Sequence, residues 1–182
     1  MTGPARPLNR PAPDESAGFY AGYVALVPHG VDPRDVLAQQ VDTLPALLAT
    51  VSETRAGFRY APEKWSIRQV AGHLSDAERV LSYRLLRVAR NDATPLAGFE
   101  ENDYAQVAGS DARSLADLVA EWVTVRHATL TLVRSLDGAA WERRGVANGA
   151  SISARALAFI IPGHVQHHVN VLRDRYGVGR AP

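Results

Sequence analysis

Three histidines fall within five positions of the segment IPGHVQHHVNVL, residues 161–172: His164, His167 and His168. Their neighbours are apolar at helical spacing. A helix built only for packing has little use for a side chain that is polar and titrates near neutrality. On a wheel of about 100° per residue, Leu157, Ile160, Ile161, Val171 and Leu172 form one stripe. His164 and His168 lie at its centre, about 40° apart, and His167 lies toward its edge. One turn apart on a helix, their Cβ atoms are roughly 5–6 Å apart. Two ring nitrogens at that spacing can meet one divalent ion at roughly 2.0–2.1 Å each. The other use of such a pair is as packed core residues, each satisfied by a carbonyl or a water, since an unpaired buried polar group costs roughly 1–3 kcal/mol.

A third ligand has to come from a facing helix, as in other bundle-core sites. His73 sits on the flank of its own apolar stripe, about 95° from the centre, where a side chain can still turn into a cleft. Asp76, one turn later, is placed to orient it, to contact a bound water or to act as a base. His127 and His29 read as surface or cap residues. Gly72 precedes His73 and Gly163 precedes His164, which suits either close helix approach around a site or plain helix packing. The chain has no Cys, which removes disulfides, zinc–thiolate sites and a cysteine nucleophile together. Any metal must therefore be held by His, Asp or Glu.

These residues need elements to carry them. The 3.6-residue apolar period predicts four long helices, over about 33–55, 67–90, 115–136 and 153–176, with no competing period-2 strand. Asp32 and Pro33 suit the first start, with Pro45 predicting a kink or break inside that helix. Ser66 with Gln69, and Ser114 with Asp117, mark the next two starts, and Gly177 a C-terminal stop. The connections 91–110 and 137–152 are long. The expected fold is all-α, an antiparallel four-helix bundle with long loops after helices two and three. Residues 19–27 add a short helix or a packed extension.

The 182 residues suit one domain. The expected organisation is a flexible arm over 1–14, one domain over 15–177 and a tail over 178–182. With 20 basic and 19 acidic residues, the charge gives no footprint for nucleic acid or a membrane surface. No apolar run approaches the roughly 18 residues of a membrane span. The opening MTGPARPLNRPAP lacks the apolar core of a signal peptide, so the expected location is the cytoplasm.

At this point the chain resembles a known family. KWSIRQVAGHLSDAERV (64–80), with Trp65 and Ser66 opening the helix and His73 eight positions after the Trp, resembles the helix-two motif of the DinB-like superfamily. GHVQHHVNVL (163–172) is similar to that superfamily's closing His-x-x-x-His motif. FEENDYAQV (99–107) is similar to the acidic-aromatic segment of the YfiT-like branch, with Tyr104 where that branch usually has Trp. The resemblance spans about residues 33–176. It implies a four-helix bundle holding a divalent metal, nickel or zinc, on His73, His164 and His168, with His167 beside the site and not coordinating. It also implies a small-molecule substrate and a homodimer.

The resemblance, together with a three-histidine site that has open positions, implies two chemistries. The expected one is an S-transferase for a low-molecular-weight thiol cosubstrate of the bacillithiol or mycothiol type, with Arg68 or Arg84 holding a carboxylate of the thiol. The alternative is a metal-dependent hydrolase using Asp76 or one of residues 100–103 as base. A bundle that binds metal without catalysis is the third reading.

Overall fold

The computed structural model describes residues 7–179. Its elements are α1 (Ala21–Ala25), α2 (Pro33–Leu48), α3 (Glu53–Ala56), α4 (Ile67–Ala89), α5 (Glu101–Val107), α6 (Leu115–Arg134), α7 (Gly138–Trp141), strands β1 (Arg144–Ala147) and β2 (Ala150–Ser153), and α8 (Ala154–Asp174). The four long helices α2, α4, α6 and α8 form the expected bundle. α4 packs on α6 and α8, and α2 packs on the same two, so α2 and α4 face each other across a diagonal.

Local chemistry sets most of the boundaries. Ser66 accepts from the Gln69 amide while the Gln69 side chain accepts from the Ser66 amide, closing a reciprocal cap on α4. Ser114 and Ser153 cap α6 and α8 in the same way from one side. The first helix is shorter than its apolar period predicts. It runs through Pro45 without breaking, stops at Leu48, and Ser52 caps the separate turn α3. Pro45 cannot donate to the carbonyl of Val41, which weakens the final turn.

The connection 137–152 adds a small hairpin to the all-α bundle. It holds α7 and the antiparallel hairpin β1–β2. Asn148 (φ 52°) and Gly149 (φ 73°) form its two-residue turn, and positive φ at both positions is the geometry that matches strand twist. The Asn-Gly pair was the legible signal. Leu96 pairs alongside, donating to the Val146 carbonyl (2.9 Å) and accepting from the Asn148 amide (3.0 Å). The connection 91–110 is likewise structured, carrying α5.

The termini are more engaged than a free arm and tail. Residues 1–6 and 180–182 lie outside the described residues. Residues 7–14 are tied to the body: the Leu8 amide donates to Asp32 (3.0 Å) and Arg10 donates to the Val24 carbonyl (2.6 Å). Just beyond them, buried Glu15 accepts from Arg155 (2.5 Å) and from the Ser153 hydroxyl (2.7 Å). Burial alone would raise the Glu15 carboxyl, but these donors and the Ala12 amide outweigh it and hold it at about 2. At the other end, Val178 is buried and its amide donates to the Leu172 carbonyl. No described helix is long and apolar enough to cross a membrane.

The apolar core divides into two halves. One is built around Leu81, Leu85, Trp141, Ile152 and Leu157, the other around Leu44, Leu74, Trp122, Val165 and Leu172. Between them runs a polar layer of Gln40, Glu78, Arg126 and His164, all nearly without solvent exposure. Arg126 donates to both Glu78 oxygens (2.6 and 2.8 Å), to Gln40 Oε1 (2.8 Å) and to the Leu37 carbonyl (3.1 Å). Gln40 in turn donates to the Pro162 carbonyl (2.9 Å). One network therefore joins all four long helices two residues before His164.

Gly163 is required by close approach. A Cβ there would lie 2.0 Å from the Tyr23 carbonyl oxygen, where α1 crosses α8. Backbone cannot step aside as a side-chain tip can, so Gly163→Ala is expected to cost about 1–3 kcal/mol. Urea unfolding of the variant beside the parent checks this.

Candidate metal centre

His73 is brought to the site by two features its helical wheel did not show. α4 is covered on two sides, by α6 and by α8, so its buried arc is wider than one stripe. Trp65, just before the helix, places its ring 4.7 Å from that of His73. The His73 side chain is 2% exposed as a result. His164 and His168 project from α8 as their spacing predicts, with the Tyr23 ring meeting the His164 ring edge-on at 5.4 Å.

The three imidazoles converge through Nε2. His73 Nε2 is 3.0 Å and His168 Nε2 3.2 Å from His164 Nε2, and all three residues offer ligand atoms within 4.8 Å of one another. A neutral imidazole carries one ring proton and one in-plane lone pair, so hydrogen bonding alone gives only one of the two short contacts at His164 a well-aligned donor and acceptor. A single ion at roughly 2.0–2.1 Å from each nitrogen sets nitrogens about 2.9–3.4 Å apart for right-angled to tetrahedral coordination. The two short separations fall in that range, and an all-imidazole donor set suits divalent zinc, nickel, copper or iron. The residues present fit a divalent metal.

The electrostatics point the same way. Burial, and then the charge of His167, pushes His73 down to about 4. Burial first, then neighbouring histidines and Arg126, pushes His164 well below its ordinary value, and burial with the other three histidines does the same to His168. All three are therefore neutral at pH 7, with lone pairs available. Because the folded state resists protons that the unfolded chain takes up near pH 6.5, stability is expected to fall steadily from about pH 6.5 to about pH 4. A series of denaturant midpoints across that range reads the trend, and a flat series would contradict it.

His167 stands outside the trio, its ring 5.0 Å from that of His168. His127 and His29 are exposed and elsewhere. Asp76 turns toward α6: its Oδ1 is 3.6 Å from Arg79, its other charged neighbours are Glu121 and Arg113, and burial raises its carboxyl. No hydrogen bond or ion pair among the described residues joins it to the histidines. The carboxylate that reaches them is Glu101, whose Oε2 is 3.9 Å from His73 Nε2. Its neighbour Glu100 is used as the α5 cap, accepting from the Asn102 amide. Partial burial and the Glu100 charge raise the Glu101 carboxyl.

Glu101 lines two cavities. The first, of about 300 Å³, ends at Glu101 and His164 and is walled by Tyr20, Tyr23, Leu81, Arg84 and Phe99. The second, of about 360 Å³, ends at Glu101 and His168 and is walled by Lys64, Trp65, Val171 and Tyr176. Arg84 thus belongs to the site. Arg68 does not, since it is paired with Glu53 at 2.6 Å. The aromatic residues of 19–23 were the part of the site that sequence reasoning missed. Their clustering in GFYAGY was visible, but not the helix they would cover.

The profile of the DinB superfamily matches residues 37–172. The chain belongs to the DinB superfamily. Within it, this DinB-superfamily chain is 30% identical over 145 residues to a Geobacillus thermodenitrificans protein named "Putative metal-dependent hydrolase", covering 75% of this chain and 79% of that one. YfiT from Bacillus subtilis, described as a probable metal-dependent hydrolase with an unusual four-helix bundle topology, superimposes with a TM-score of 0.72. That match has 17% identity and covers 81% of this chain and 87% of YfiT. At that identity the likeness is one of fold.

Proposed function

We propose that this protein is a metal-dependent hydrolase in which His73, His164 and His168 hold a divalent ion, nickel or zinc, and Glu101 is the general base. The observation that carries the reading is the placement of Glu101 Oε2 3.9 Å from His73 Nε2, at the end of a cavity that His164 also lines. The name carried by the Geobacillus relative supports it. When bound, the ion supplies a Lewis acid that polarises the substrate and lowers the pKa of a protic nucleophile. Glu101 accepts the nucleophile's proton at Oε2. Tyr20, Tyr23 and Phe99 keep water from the substrate's apolar parts.

Glu101→Gln is expected to lower kcat on the order of 100-fold or more with metal content unchanged. The wild-type rate is expected to rise with pH through the ionisation of Glu101, and Glu101→Gln is expected to lose that rise. Both are read with metal-loaded protein on a panel of aryl esters and amides, with no thiol present. Asp76→Asn measured alongside separates the two carboxylates: a loss confined to Asp76→Asn would move the base from Glu101 to Asp76.

The second cavity favours one other reading, thiol S-transfer. Two cavities lined by one carboxylate leave room for two substrates, and a chain without Cys receives its thiol from a cosubstrate of the bacillithiol or mycothiol type. A metal-dependent rate that requires such a thiol and an electrophile would replace the hydrolase reading. Blank activity screens with a metal-dependent rise in Tm would leave a metal-binding bundle.

A further inference from the structure

Arg84 lies three turns along α4 from His73, on the same face, with Ala77 and Leu81 between them. It is 3% exposed. The other strongly buried arginine, Arg126, is neutralised by Glu78 at 2.6 Å, and the partly buried Arg155 by Glu15 at 2.5 Å. Arg84 has no such partner among the described residues. Nη1 donates to the Tyr20 hydroxyl (3.1 Å), Nη2 to the Ala97 carbonyl (2.8 Å), and the guanidinium stands 5.9 Å from the centre of the Phe99 ring.

A guanidinium stays charged in any protein setting, and two acceptors leave three of its five N–H groups for something else. A buried cation without a counter-charge is costly, and substrate sites are where such a cost is retained for use. Arg84 also lines the first cavity, at the end remote from the histidines. Tyr20, in accepting from Arg84, keeps its own O–H to donate. The two acids that share this cavity are occupied at its other end, Glu100 by the α5 amide and Glu101 beside His73.

We propose that the first cavity takes a substrate with an apolar, aromatic-sized body and a carboxylate, and that Arg84 with Tyr20 binds that carboxylate while the reacting group points at His164 and Glu101. The planar fork of Arg suits a carboxylate in two-point contact, and the walls of Tyr23, Leu81 and Phe99 suit the body. The inference rests on the first cavity being the substrate cavity of the proposed hydrolase. It does not require the metal to be in place.

The test is calorimetric titration of the full chain, stripped of metal with a chelator and dialysed, with 4-phenylbutyrate and with its neutral amide. Removing metal prevents the carboxylate from simply ligating it. The expected result is at least about tenfold tighter binding of the acid than of the amide, consistent with a charge-assisted pair. The difference should vanish in Arg84→Met and be partly kept in Arg84→Lys. If Arg84→Met does not fold, the wild-type discrimination and the Arg84→Lys protein carry the test. Equal binding of acid and amide by folded wild type, or unchanged discrimination in Arg84→Met, overturns the inference. The same preparation is assayed for metal uptake. Discrimination without metal binding would leave Arg84 standing and remove the metal reading. Metal binding without discrimination would remove the Arg84 inference alone.

Discussion

His164→Ala protein is expected to bind divalent metal on the order of 100-fold or more weakly than wild type, since even outer partners of metal ligands typically cost 10–100-fold. His164 is the hub of the trio, the one nitrogen within 3.2 Å of both others. Its loss leaves two candidate ligands, His73 and His168, in place of three. The check is elemental analysis of untagged, desalted protein, because a histidine tag would add metal of its own. Wild type is expected to carry about one ion per chain. Metal at one hundred times its Kd adds about 2.7 kcal/mol of stability, or roughly 5–10 °C in Tm for a chain of this size. That increment is expected in wild type on adding nickel or zinc and absent in the variant. Wild type that takes up neither ion after reconstitution would make the three histidines packed polar residues and would remove the hydrolase reading with them.

The second large effect lies in the polar layer. Glu78→Ala is expected to cost about 3–5 kcal/mol, because it leaves the Arg126 guanidinium buried with one of its two principal partners gone. Glu78 and Arg126 side chains are 1% and 0% exposed, so water cannot take over the missing contacts. Replacing both at once, Glu78→Met with Arg126→Met, is expected to be nearly neutral by comparison, since an apolar pair of similar volume has no charge to desolvate. Denaturant unfolding of the two variants beside wild type distinguishes a penalty of stranded charge from a net contribution of the pair. The double variant also reads the role of the layer in the site. Gln40 holds the Pro162 carbonyl while its own oxygen is held by Arg126. Loss of Arg126 is therefore expected to loosen His164 and weaken metal binding even where the fold is as stable as before.

Much of this protein was legible from its sequence, for local reasons. The period of apolar residues and the caps at Asp32, Ser66 and Ser114 are read within a few positions of each other, so the four long helices follow from neighbours in the chain. His164 and His168 could be paired from spacing because both ride on one helix, where 3.6 residues per turn dictates their relation. The Asn148–Gly149 turn was equally local, and the hairpin it closes was missed only because the strands are four residues each. The family motifs around Trp65–His73 and His164–His168 pointed to His73 as the third member of the cluster.

What the tertiary structure decided involves residues far apart in the chain. His73 sits on the flank of its own apolar stripe, and only the packing of α4 against both α6 and α8 turns that flank inward. Glu101 rather than Asp76 meets the histidines because α5 folds back over the end of the site, while Asp76 faces Arg79 and the charges near α6. Arg84 could be told from Arg68 only by what surrounds each: an aromatic cavity with no carboxylate partner, against an exposed pair with Glu53. Periodicity says which face of a helix is buried, but not which neighbour buries it, and a chemical site is made of neighbours.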